Sequence, residues 1–249
     1  MGLIVGFSLH QFSEVVLKIR DAQGDPYVII GGQAVNYWAE RYLTAEPELE
    51  FLKPFTSQDI DFKGGLEDVR HIAEQLKLTA KYPHKVVMTA LAGAIPFQIG
   101  KLESNIEIVR WIPGISNSAA IPAIKAQWQG KTIRVLDPIS LLASKIQLAV
   151  SVSQKDRQDV EHVKILIPCV RAFLTELLQQ VENNEIPSRH WLGTVNKALN
   201  VTTHQRARKL AKRHKIDWSK ILPLEAIAQC KQEKIKRFRE QQLGRRDLQ

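Results

Sequence analysis

The sequence predicts an α+β protein, with a mixed sheet and flanking helices over residues 1–140 and a helical module over 141–249. Two observations lead there. Short apolar strands alternate with amphipathic helices up to about residue 140, and from Ile139 onward only helical spacing recurs, with Pro138, Pro168, Pro187 and Pro223 as punctuation. A chain of 249 residues, 44% hydrophobic and 24% charged, can bury the core of one large or two modest globular domains.

The elements follow in order. Phe12, Val15, Val16 and Ile19 recur at helical spacing and predict an opening helix over 8–22, stopped by Gly24 and Pro26. Residues 27–30 read as a short buried strand, Gly31-Gly32 as a turn, and 33–43 as a helix with Ala34, Tyr37, Trp38 and Tyr42 on its apolar face. An acidic loop over 44–54 leads into a strand at 59–62. Val69, Ile72, Ala73 and Leu76 then mark a helix over 66–78. Strands are expected at 85–89, 94–99, 106–112 and 132–136. Helices are expected at 141–151, 156–167, 169–183 and 190–200, with basic helices after them.

The formal charge of +9 is unevenly placed. Residues 201–249 hold 14 Lys and Arg against 5 Asp and Glu, which is the whole excess. That concentration favours contact with a polyanion, and a solvated basic end is the plainer reading. The longest apolar runs are too short to span a bilayer, and no basic stretch precedes the apolar residues 3–7, so neither a membrane span nor a secretory leader is expected. Cys169 and Cys230 stand at no metal or disulfide spacing, which favours a cytoplasmic location.

The chemistry-bearing residues cluster early. Asp59 and Asp61 are two apart in an expected strand, so both side chains leave one face while Ile60 and Phe62 enter the core. Two carboxylates this close repel unless a cation or hydrogen bonds compensate them, and Mg²⁺ suits hard oxygen ligands and phosphates. A second cation sharing a carboxylate can activate an attacking hydroxyl. Gly31 and Gly32, between strand and helix, let a phosphate approach backbone N–H groups at a helix N-terminus, although neither a Walker loop nor a GxGxxG fingerprint is present. Thr56 and Ser57 can orient a terminal phosphate or cap nearby backbone.

Gly31-Gly32-Gln33-Ala34 followed by Thr56-Ser57-Gln58-Asp59-Ile60-Asp61-Phe62 resembles the nucleotidyltransferase superfamily typified by DNA polymerase beta. More narrowly it is similar to bacterial AbiEii-like, toxin-associated nucleotidyltransferases, and the segments 135–145 and 155–163 share that likeness. The resemblance covers roughly residues 25–165. It implies that Gly31 and Gly32 hold the triphosphate and that Asp59 and Asp61 bind Mg²⁺, with Mn²⁺ as an alternative. A third carboxylate on a later strand is implied as well. Glu107 matches it best, one methylene longer than the usual Asp, with Glu103 a weaker candidate at the strand entrance. The implied reaction is transfer of a nucleoside monophosphate from an NTP to a hydroxyl on RNA or protein. A catalytically reduced nucleotide-sensing or nucleic-acid/protein interaction protein is the alternative, and a DNA-binding protein built around the basic end is a third reading.

Lys145, on an apolar helical stretch, can neutralise a triphosphate or serve as a plain snorkelling lysine. Lys155, Asp156, Arg157 and Asp159 open the next helix with dense charge, and the resemblance implies that Asp156 and Asp159 brace the helical module. Trp111 reads as packing rather than base stacking, and His71, His162 and His190 have no partner at metal spacing. In the basic end, Arg206, Lys209 and Arg213 share one helical side opposite Ala207, Leu210 and Ala211, an arrangement suited to phosphate contacts without base stacking.

Overall fold

A computed structural model describes residues 6–84, 89–116, 121–155 and 157–243. It shows a six-stranded mixed sheet flanked by helices and followed by a helical module, as the pattern predicts. The strands are β1 (Val28–Ile30), β2 (Ile60–Lys63), β3 (Leu91–Ile99), β4 (Leu102–Val109), β5 (Ala123–Trp128) and β6 (Lys131–Leu136). Their spatial order is β3-β4-β2-β1-β6-β5. β1 runs antiparallel to β2 and parallel to β6, and β2 runs parallel to β4. Two antiparallel hairpins, β3–β4 and β5–β6, close the edges.

The helices are α1 (Ser13–Lys18), α2 (Gly31–Tyr42), α3 (Leu66–Leu76), α4 (Pro138–Ser151), α5 (Asp159–Glu182), α6 (Ser188–Thr203), α7 (Gln205–His214), α8 (Leu224–Gln229) and α9 (Glu233–Phe238). One core runs through the molecule, from Phe7 to Phe238. Ile29, Ile60, Ile106, Ile108 and Val135 fill it from the sheet, and Trp38 anchors α2 by donating its indole N–H to the Leu136 carbonyl at 2.8 Å. Asp137 starts α4 by accepting the N–H groups of Ile139 and Ser140 at 2.9 Å each, with Pro138 in the first turn.

Several boundaries differ from expectation. The opening helix is a short 3₁₀ turn, Leu9–Phe12, followed by α1, and the expected 44–54 loop contains a second 3₁₀ turn, Pro47–Leu52. The strand expected at 106–112 begins earlier and ends at Val109. The expected strand at 85–89 lies outside the described residues except for Thr89.

Two differences have clear causes. Pro168 does not divide the helix: α5 continues for 24 residues. A mid-helix proline forfeits a hydrogen bond and costs ~3 kcal/mol or more. Here Ile165, Leu166, Ile167, Cys169 and Val170 are all buried around it, and their packing outweighs that cost. β5 is absent from the expected elements because an edge strand half-exposed along most of its length shows little apolar alternation. Its signal is the turn Gln129-Gly130, where both residues take positive φ, 49° and 73°, as a two-residue hairpin turn demands.

Candidate active site

β2 alternates as the sequence requires: Ile60 and Phe62 are buried beneath the sheet while Asp61 and Lys63 are half-buried on the other face. The strand register places Asp61 beside Glu107 of β4 on one side and beside Ile30 of β1 on the other. Asp59 lies one residue before the strand, in a bend, and is half-buried. All three carboxylates line one cavity of about 140 Å³, together with Gly32, Ser57, Lys145, Arg157 and Asp159. Glu103 is exposed near the start of β4, so Glu107 is the acidic residue that the fold brings to the pair. Trp111 is half-buried and does not line this cavity.

The glycine pair is held there by steric demand. Gly31 has φ +66°, and a Cβ on it would lie 1.8 Å from Asp61 Oδ2. A Cβ on Gly32 would lie 2.2 Å from Ser57 Oγ and 3.2 Å from His162 Cε1. The glycines thus form the first residues of α2 rather than a separate turn, and the Gly32 N–H donates to the Asp61 carboxylate. Ser57 is fixed through its backbone, exchanging two hydrogen bonds with Phe7 at 2.8 and 2.9 Å. Its hydroxyl stands 3.5 Å from Asp59 Oδ1, at the long limit of a hydrogen bond.

Charge in the cavity is unbalanced. Lys145 is buried and donates to Asp159 Oδ1 at 2.9 Å, while Arg157 donates to Asp159 Oδ2 at 2.6 Å. Burial alone would raise the Asp159 pKa, but these two cations hold it down to about 2. Asp59, Asp61 and Glu107 lack such a pairing. Burial, and then the charges of Asp59 and Glu107, drive Asp61 well above the ordinary carboxylate range. Burial and Asp59 push Glu107 up to about 7, and burial raises Asp59 against the pull of Lys145. With every group ionised, four carboxylates face two cations, a deficit of two positive charges.

That deficit is the one a divalent cation would fill. Among the described residues, no group of three or more His, Cys, Asp or Glu side chains converges as a ready-made metal cage. Mg²⁺ is commonly held by one or two carboxylates, with water and substrate phosphates completing its octahedron, so the donor set fits a cation that arrives with its substrate.

The sequence-level expectation for Lys145 changes in one respect: its ammonium is tied to Asp159 rather than left free. Asp159 joins α4 to α5 through this ion pair, within the helical module rather than against the sheet, and Asp156 lies outside the described residues. His162 is not among the site residues expected from the sequence, yet it lines the cavity and is 4% exposed. Burial lowers its pKa to about 3, so the ring is neutral at physiological pH. The signal for it is its spacing: His162 lies three residues after Asp159 on α5, one turn along the same face.

Cys169 and Cys230 are free and buried. Among the described residues no helix is long and apolar enough to cross a membrane. No protein-family model and no curated protein matches the chain. Among solved structures, it is similar to an antigenic nucleotidyltransferase-like protein from Paracoccidioides brasiliensis, with 13% identity, a TM-score of 0.45, and coverage of 66% of this chain and 78% of that one. It is also similar to JHP933 from Helicobacter pylori, with 13% identity, a TM-score of 0.35, and coverage of 82% and 92% respectively. Both likenesses are distant, they do not single out the AbiEii-like group, and at these scores neither bears on the chemistry.

Proposed function

We propose that this chain is a metal-dependent nucleotidyltransferase that moves a nucleoside monophosphate from an NTP to an acceptor hydroxyl. The observation that carries the reading is that Asp59, Asp61 and Glu107, none of them in an ion pair among the described residues, line one cavity at the glycine-started N-terminus of α2. The bound Mg²⁺ or Mn²⁺ would supply charge neutralisation for the triphosphate and polarisation of the reacting oxygens. Asp59 and Asp61 would hold it, with Glu107 beside them. Gly31 and Gly32 begin α2, and the backbone dipoles at that helix start favour an anion. Ser57 lies against Gly32 and contacts the same phosphates. Lys145 and Arg157, both anchored on Asp159, keep positive charge at the cavity wall for the leaving pyrophosphate.

In the reaction, the acceptor oxygen bonds to the α-phosphorus and the bond from that phosphorus to the bridging oxygen breaks. Pyrophosphate departs with the bond's electron pair, and the hydroxyl proton passes to the carboxylate cluster. The acceptor class we favour is RNA, because α7 exposes Arg206, Arg208, Lys209, Lys212 and Arg213 while burying Ala207 and Leu210. A protein hydroxyl, as in the toxin-associated AbiEii-like group that the sequence resembles, is the other acceptor to test.

A second reading, nucleotide sensing without turnover, is favoured by the Lys145–Asp159 pair and by the commitment of the Gly32 N–H to Asp61. Titrating NTP with and without Mg²⁺ tests what both readings share. Binding should require the cation and should weaken at least tenfold in Asp59→Asn. Equal affinity in the variant, or affinity indifferent to the cation, would remove the carboxylates from either role.

A further inference from the structure

We infer that the hollow between the Pro47–Leu52 turn and the start of α5 seats the heteroaromatic base of the nucleotide whose phosphates occupy the carboxylate cavity. This rests on the nucleotidyltransferase reading and extends it to a base subsite. The hollow has a volume of about 290 Å³ and neighbours the carboxylate cavity, with Gln158 and His162 lining both. Taken together the two reach the lower end of the range of small-molecule sites, about 300–1,000 Å³. A ligand held by its phosphates at Asp59 and Asp61 therefore has this neighbouring space for its other end.

The chemistry of the hollow suits a flat, uncharged ring. Phe51, Leu52, Pro54 and Ile165 supply apolar surface. Phe51 is 89% exposed, the most exposed large hydrophobic side chain among the described residues, and a phenyl ring left open beside a cavity offers a face for stacking. The charges at the rim are already paired. Lys53 donates to Glu50 at 2.9 Å, and Lys164 donates to Glu161 at 2.9 Å. A phosphate would find both lining charges already paired, whereas a neutral base would leave those pairs intact.

One lining residue of the hollow carries an unpartnered buried polar atom. His162 Nδ1 has no hydrogen-bond partner, although the residue is 96% buried as the complement of its 4% exposure. The ring interacts with the Thr56 backbone, and because Nδ1 is unpartnered that contact belongs to Nε2 as donor. Nδ1 is then the acceptor nitrogen of a neutral imidazole. A buried acceptor without a donor is costly, and the N–H edge of a base would satisfy it. The Gln158 carboxamide, half-buried on the same wall, can both donate and accept, which would make the preference among bases a property of these two side chains.

The test uses the full chain and compares wild type with Phe51→Ala and Phe51→Trp. Each is titrated with the four NTPs and with inorganic tripolyphosphate, all in Mg²⁺. Tripolyphosphate has the phosphates and no base. Phe51→Ala should weaken the preferred NTP about tenfold and leave tripolyphosphate affinity unchanged, while Phe51→Trp should retain or tighten the NTP. His162→Ala should compress the spread of affinities among the four bases. Unchanged NTP affinity in Phe51→Ala, or an equal loss for tripolyphosphate, would overturn the base subsite. A raised KM for an RNA acceptor with NTP affinity intact would also overturn it, by giving the hollow to the acceptor. In each of these cases the requirement of Asp59 for NTP binding would still stand. Failure of wild type to bind either probe would instead bring down both readings.

Discussion

Gly31 and the Asp61 carboxylate sit so close that no side chain can separate them, and Gly31 also takes a positive φ of 66°. Gly31→Ala should therefore cost about 1–3 kcal/mol through backbone strain and force the carboxylate aside. A denaturant melt reads the first effect and NTP affinity the second; an unchanged midpoint and unchanged affinity would show that the close approach is dispensable. Glu107 offers a titration. Its folded pKa is about 7, above the ordinary value of 4.5, so between these values the folded chain binds more protons than the unfolded one. Without a divalent cation, stability should then fall as pH rises from about 4.5 to about 7. Glu107→Gln should flatten that slope in a pH series of melts, and a slope identical to wild type would remove Glu107 from the uncompensated cluster. Asp61 is legible from the period-two alternation of β2, whereas Asp59 reaches the same cavity from the bend before the strand. The tie between Lys145 and Asp159 is not legible, since the partner of a buried cation is chosen by how two helices dock.

At the scale of elements, α4 and α5 are joined by an ion pair of which Lys145 shows 8% and Asp159 2% of its side chain to solvent. Removing one member of such a pair leaves a buried charge alone. Asp159→Asn should destabilise the chain by about 3–5 kcal/mol, and a volume-matched apolar replacement of both partners should recover most of that deficit. Equilibrium unfolding of the single and double variants decides this. If neither is destabilised, the helices are held by packing alone. The pair's own pH dependence has the opposite sign to that of Glu107. Asp159 titrates near 2, below the usual carboxylate value of 3.8, so its contribution is present above about pH 4 and disappears as pH falls toward 2. Helices with strong apolar periodicity, such as α2 and α3, are readable in the sequence. The continuity of α5 through Pro168 is not, because local chemistry argues for a break and only the burial around it argues otherwise.

Across the whole molecule, one core joins the sheet to the last helices. Trp191 donates to the Leu174 carbonyl at 2.8 Å, and its ring meets that of Phe238 at 5.8 Å between centroids. Residues 201–243 are therefore not a detachable basic tail, and cutting them away would expose the core. Part of the charge excess that the sequence places there is carried by five exposed cations on the packed helix α7. Replacing Arg208, Lys209, Lys212 and Arg213 with Gln should leave the melting temperature within a few degrees of wild type. The salt dependence of RNA binding should become shallower by about 0.7 in log–log slope for each phosphate that the variant no longer neutralises. An unchanged slope would assign RNA binding elsewhere or nowhere.

The central claim is that Asp59 and Asp61 serve nucleotidyl transfer. Its most direct test incubates the full chain with α-phosphate-labelled ATP, CTP, GTP and UTP in Mg²⁺, together with total RNA and total protein. Label should pass covalently to one of the two pools, with a preferred base, and should vanish in Asp59→Asn/Asp61→Asn. A folded wild type that transfers no more label than the folded double variant would contradict that claim.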